Sequence, residues 1–144
     1  RAKHVTGVQT CALPISHVKA GLVAGDGGAV IWPLLVGVAK AKELLMTGDI
    51  IDAAEAERIG LVNKVVPHDK LMEEAMDLAR RLANGPAMAI RGTKHAINKK
   101  VWADLNLSLD MGLALEERSS RHPDHNEAAR SFVEKRTPEY KGTI

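Results

Sequence analysis

The sequence predicts a mostly helical α/β fold. Three observations carry that expectation. The chain of 144 residues is 45% apolar yet only 3% aromatic, so its core must come from Ala, Leu, Val, Ile and Met, a composition that favours helices. From about residue 70 onward, leucines and alanines recur at spacings of three and four, the period of a helix with one apolar face. One short β-branched run, Leu61 to Val66 (LVNKVV), alternates in part and reads as a strand closed by Pro67.

The N-terminal stretch Val5 to Ile15 reads VTGVQTCALPI and resembles the conceptual translation of a short-read sequencing adapter. Residues 1–16 are therefore read as a non-native segment and set aside, as a tag would be, with the natural protein expected to extend upstream of His17. A secretory leader fits poorly, because Gln9 and Thr10 interrupt the apolar run. Without Arg1 and Lys3 the formal charge of +2 falls to a balance of bases and acids, which points away from nucleic acid. The single cysteine, Cys11, leaves with the same segment, so a reducing, cytoplasmic setting is expected. No apolar run reaches the length of a membrane span, and no membrane partner is expected.

Taken in order, His17 to Ala24 (HVKAGLVA) reads as a strand end or loop. Gly25-Asp26-Gly27-Gly28 is a turn that opens a helix, with Asp26 placed either as its N-cap or as a functional acid. Pro33 should end or kink the apolar segment that follows. A helix over Ala39 to Met46 stops at Gly48. Asp52 and Glu55 have the spacing of a capping box, and the short helix they open ends at Gly60. The clearest helix runs from about Lys70 to Asn84, with Leu71, Ala75, Leu78 and Leu82 on one face. Glu73 and Glu74 lie in its first turn and Arg80 and Arg81 in its last, as the helix dipole favours. Further helices are expected from Pro86, from about Asp104 to Ser120, and from Pro123 to about Lys135, the last packing through Ala128, Phe132 and Val133. Their apolar faces need a partner, part of which a second subunit would supply. His68, His95, His122 and His125 have no metal-ligand spacing and read as surface or cap residues, and Lys94 to Lys100 reads as a solvated helix end.

Four segments then carry a family resemblance. GLVAGDGGAVIWPLLVG (Gly21 to Gly37), AKELLMTGDIIDAAEAERIGLVNKVVP (Ala41 to Pro67), GPAMAIRGTKHAIN (Gly85 to Asn98) and SFVEKRTPEYKG (Ser131 to Gly142) stand in the order and spacing of the crotonase superfamily, the enoyl-CoA hydratase/isomerase family. The sequence resembles the C-terminal half of such a protein. The resemblance implies the C-terminal part of a ββα spiral fold: residues 17–67 as the end of the crotonase core, and residues 68–144 as a helical region that makes trimer contacts. It implies a homotrimer or a dimer of trimers, acyl-CoA thioester substrates of fatty acid metabolism, and no metal or other cofactor. The chemistry it implies is an enolate held by two backbone N–H groups while acidic side chains move protons.

The same resemblance assigns residues. His17 stands where hydratases carry their second glutamate, four residues before the matching glycine. It is either a general acid or base in its own right or inert. Asp26 lies where some members place a catalytic aspartate, and Gly25 and Gly27 would let backbone approach the acyl chain or merely shape the turn. Phe132 and Lys135 fall in the closing segment, near the CoA adenine and phosphates in relatives, with Arg136 read as a solvated charge. The oxyanion donors and the first catalytic glutamate precede His17 in the family, so the 144-residue chain is expected to be inactive by itself. Its alternatives are a non-catalytic assembly or CoA-contact module and another crotonase chemistry such as thioester hydrolysis.

Overall fold

The computed structural model describes residues 5–6 and 17–142. Among them are six α-helices: α1 (Gly28–Val36), α2 (Val38–Thr47), α3 (Ala53–Arg58), α4 (Leu71–Ala83), α5 (Ala87–Ser120) and α6 (Pro123–Glu134). Two short strands, β1 (Val5–Thr6) and β2 (Lys64–Val65), pair antiparallel, with Val5 opposite Val65 and Thr6 opposite Lys64. The chain divides into two compact units.

One unit holds β1 and the segment from Ile50 to Asp104. Asp52 caps α3 through its side chain, which accepts the Glu55 N–H at 2.8 Å, while Arg58 takes both oxygens of the Glu55 carboxylate at 2.6 Å. Ala56 is buried beneath this turn, and Val66 is buried just past β2. The expected strand is thus cut to two residues, and Glu57 accepts the Val65 N–H from the side. Lys64 reaches Glu74 on α4 at 2.6 Å. On α4 itself, Leu78 and Leu82 are about half exposed, so the predicted apolar face exists but stands open.

The other unit comprises Pro14–Asp49 and Leu105–Ile144. Residues 18–20 form a 3-10 turn where a strand end or loop was expected. Pro33 sits inside α1, three residues before its end, and its carbonyl accepts the Gly37 N–H. Trp32 and Val30 of α1 and Ala41 and Leu44 of α2 supply the core of this pair. Gly48 ends α2 in the left-handed region at φ 66°. Ala128 and Ser131 bury the inner face of α6.

Two helix expectations are corrected. The helices predicted from Pro86 and from Asp104 are one continuous helix of 34 residues, α5. No proline or glycine falls between Asn98 and Asp104, so nothing breaks the ladder there. On α6, Phe132 and Val133 are 83% and 78% exposed rather than packed, because Ala128 and Ser131 hold the inward positions. Leu107 and Met111 on α5 are likewise open.

Candidate active site

The turn between the 3-10 segment and α1 brings His17 and Asp26 together. The His17 carbonyl accepts two backbone N–H bonds, from Ala20 at 3.0 Å and from Leu22 at 2.7 Å, so the chain doubles back under its own start. Gly21 makes this possible at φ 68°. A Cβ there would also strike the backbone of His125 at 2.8 Å. His125 is tied to the same turn, because its Nδ1 lies 2.7 Å from the Ala20 carbonyl. A carbonyl only accepts, so Nδ1 carries the proton. His122 caps α6 by accepting the Asp124 N–H, as the expectation of a cap residue anticipated.

Helix α5 fixes the other side of the turn. The Ser119 hydroxyl accepts the Val23 N–H at 3.0 Å and donates to the Glu116 carbonyl at 2.7 Å. Gly25 lies against Gly112, so closely that a Cβ on Gly25 would fall 2.0 Å from the Gly112 carbonyl oxygen. Gly25 therefore serves a backbone–backbone contact with α5. Gly27 has φ 116° and is the N-cap of α1, which corrects the reading of Asp26 as that cap. The Asp26 side chain turns to His17 instead.

The resulting group is compact. His17 Nε2 lies 3.4 Å from Asp26 Oδ2 and 4.0 Å from Glu116 Oε1. His17 and Glu116 are about three-quarters covered, while Asp26 is more than half exposed. One Glu116 oxygen, Oε2, is buried with no hydrogen-bond partner. Asp26 and Glu116 line a cavity of about 350 Å³ together with Leu22 and Leu113. The ligand atoms of the three residues all fall within 4.8 Å of one another, so they are also the group best placed to hold a metal ion among the described residues. Glu116 was not foreseen from the sequence. Its only signal was a row of Gly112, Glu116 and Ser119 at helical spacing, overlooked beside the more conspicuous Leu105, Leu109 and Leu113.

A larger apolar cavity of about 560 Å³ adjoins the turn and is lined by Val18, Leu22, Ala24, Ala29, Leu45 and Met46. Phe132 and Arg136 belong to a third cavity, of about 540 Å³, with Lys19, Thr47 and Tyr140. The two cavities share Val18 and Met46. Lys135 ends α6 in the left-handed region at φ 53°. Arg136 is not the solvated charge expected. It pairs with Glu134 at 2.6 Å and grips Glu127, which also receives Arg130 at 2.6 Å and the Glu139 N–H at 3.0 Å. Arg136, and then Arg130, hold the Glu127 carboxyl far below the usual carboxylate range. The Tyr140 hydroxyl donates to the Lys19 carbonyl at 3.1 Å, and burial raises its pKa.

Residues 8–143 match the family described as Enoyl-CoA hydratase/isomerase. The chain is 37% identical over 124 residues to the Mycobacterium tuberculosis protein named "Probable enoyl-CoA hydratase", covering 86% of this chain and 48% of that protein. It is 45% identical over 95 residues to the short-chain-enoyl-CoA hydratase of Clostridioides difficile, covering 66% and 61%. An enoyl-CoA hydratase structure from Mycobacterium avium subsp. paratuberculosis superposes with a TM-score of 0.80 at 33% identity, over 88% of this chain and 52% of that one. A carnitinyl-CoA dehydratase from Mycobacterium avium gives 0.80 at 26% identity, over 88% and 51%. The chain thus spans about half the length of most of these relatives, and the fold it shares with them is the crotonase fold. The chain belongs to the enoyl-CoA hydratase/isomerase family.

Proposed function

We propose that the whole protein adds water across, or shifts, the double bond of an enoyl-CoA thioester through an oxyanion-stabilised enolate, with His17 and Asp26 as its proton-transfer pair. The observation that carries this reading is the 3.4 Å contact between His17 Nε2 and Asp26 Oδ2, at the two positions that the family resemblance singles out. A carboxylate beside Nε2 stabilises the imidazolium that forms when that nitrogen takes a proton. In hydration, His17 accepts a proton from water as the water oxygen bonds to the β carbon. The α carbon of the enolate then takes a proton from an acid of the site. In isomerisation, the pair removes a proton at one carbon and returns it at another. The thioester oxygen needs two backbone N–H donors, which this reading places ahead of His17. On the same reading the substrate is acyl-CoA, the protein is a cytoplasmic homotrimer or dimer of trimers, and Phe132 and Lys135 approach the CoA nucleotide.

The open faces support a second reading for the 144-residue chain alone. Leu107 is 82% and Met111 67% exposed on α5, as in an element that awaits a covering partner. The chain by itself is then an assembly part without turnover. The experiment is an assay of crotonyl-CoA hydration and isomerisation on the full-length gene product, its Asp26→Asn variant and the 144-residue chain. The expected outcome is activity in the first, a loss of about 100-fold or more in kcat in the second with CoA binding spared, and silence in the third. Unchanged turnover in Asp26→Asn would remove Asp26 from the chemistry. Turnover by the short chain would end the assembly reading.

A further inference from the structure

We propose that His17, Asp26 and Glu116 form a binding site for a divalent transition-metal cation of the zinc class, and that this cation competes with the proton transfer assigned to His17 and Asp26. The inference rests on the acid–base reading only for its functional consequence. The binding itself follows from the donor set.

That set is one imidazole nitrogen and two carboxylate oxygens, all within 4.8 Å. Calcium and magnesium favour oxygen alone, whereas zinc, cobalt and manganese accept nitrogen beside oxygen. Around a tetrahedral cation with bonds of about 2.1 Å, neighbouring donors stand about 3.4 Å apart. The His17–Asp26 separation is 3.4 Å, and the His17–Glu116 separation of 4.0 Å needs only a small closure. Asp26 is the most exposed member and sits on a turn, so it is the ligand free to move in.

Charge and hydrogen bonding point the same way. Two carboxylates face one imidazole, and a divalent cation offsets the charge of both. Glu116 faces His17 through Oε1, and its other oxygen, Oε2, is buried without a hydrogen-bond partner, so a water bound to the cation satisfies it. The cavity of about 350 Å³ lined by Asp26 and Glu116 has room for the water that would complete the coordination. A cation held on His17 Nε2 occupies the lone pair that must accept a proton, so cation and proton transfer exclude each other.

The test is calorimetric titration of the 144-residue chain with zinc chloride, in a Cys11→Ser background so that no thiolate takes the metal. The expected result is one equivalent bound, with affinity lowered at least about tenfold in His17→Ala and in Glu116→Gln and unchanged in His95→Ala. Circular dichroism checks that each variant keeps its helices. Because His17→Ala can disturb the turn, manganese broadening of NMR signals in the Cys11→Ser chain gives a second reading, with His17 and Leu113 expected to broaden first. No saturable zinc binding below about 1 mM, full affinity in His17→Ala with its helices intact, or broadening centred on other histidines would overturn the site. Those results would leave the acid–base reading standing. An active full-length protein indifferent to Asp26→Asn would remove that reading and leave the zinc result in place.

Discussion

Replacing Gly25 by alanine tests how the site is held together. The added Cβ would fall 2.0 Å from the Gly112 carbonyl oxygen and 2.5 Å from its carbon. Both are backbone atoms of a helix, so they cannot rotate away, and carbon contacts are favourable only near 3.5–4.0 Å. The turn must retreat from α5 by more than an ångström, which costs about 1–3 kcal/mol as overpacking does elsewhere. For a chain of this length that lowers Tm by roughly 2–4 °C per kcal/mol. Two sister substitutions on α5 calibrate the result. At Gly92 a Cβ would meet nothing within 4 Å, so Gly92→Ala should gain about 1 kcal/mol of helix propensity. At Gly112 a Cβ would lie 2.9 Å from the Gly25 oxygen, so the same propensity gain is offset by a clash. The expected order of Tm in far-UV circular dichroism is Gly92→Ala above the parent, Gly112→Ala near or below it, and Gly25→Ala lowest. A Gly25→Ala chain that melts with the parent would refute the close backbone approach, and with it the account of how Asp26 reaches His17.

The sequence carried the local elements well where one short-range rule decided them. Asp52 caps α3 because its acceptor and the Glu55 donor lie three residues apart, and Gly48 ends α2 because it accepts the left-handed conformation there. Legibility failed where the decision was tertiary. Nothing local said whether Lys99 to Ala103 would be a gap or a helix, and only the absence of a breaker favoured one helix. Phe132 was expected to pack with Ala128, yet burial on α6 went to the smaller Ala128 and Ser131. The Leu61 to Val66 run had strand propensity, but only two of its residues found a partner strand.

The site shows the same division. His17 and Asp26 were legible through their places in a family pattern, and the short turn with Gly21 lets them meet. Glu116 was not, because almost a hundred residues separate it from His17 and its row with Gly112 and Ser119 is outweighed by the leucine stripe of α5. Only packing of Gly25 on Gly112 reveals that Glu116, one helical turn further on, faces the same imidazole. Arg136 teaches a related lesson. Its charge was read as solvated, whereas Glu127 and Glu134 occupy its guanidinium.

Two further outcomes follow from these contacts. Asp52→Ala removes the acceptor for the Glu55 N–H and should lower stability by about 1 kcal/mol, read by chemical unfolding, whereas Asp52→Asn should retain most of it. Glu127 sets an acid limit on the unit that contains α6. Its carboxyl is held well below its ordinary value of 4.5 by Arg136 and Arg130, so the folded state binds that proton less readily than the unfolded chain does. The stabilisation is therefore fully present above about pH 4.5 and is lost as the pH falls toward the depressed folded value. Glu127→Gln should remove this part of the acid dependence, releasing Arg136 and the segment that carries Tyr140 to Lys19. Urea midpoints measured from neutral pH downward should then show a shallower acid slope for the variant than for the parent, and equal slopes would mean that the Glu127 network is not held in solution.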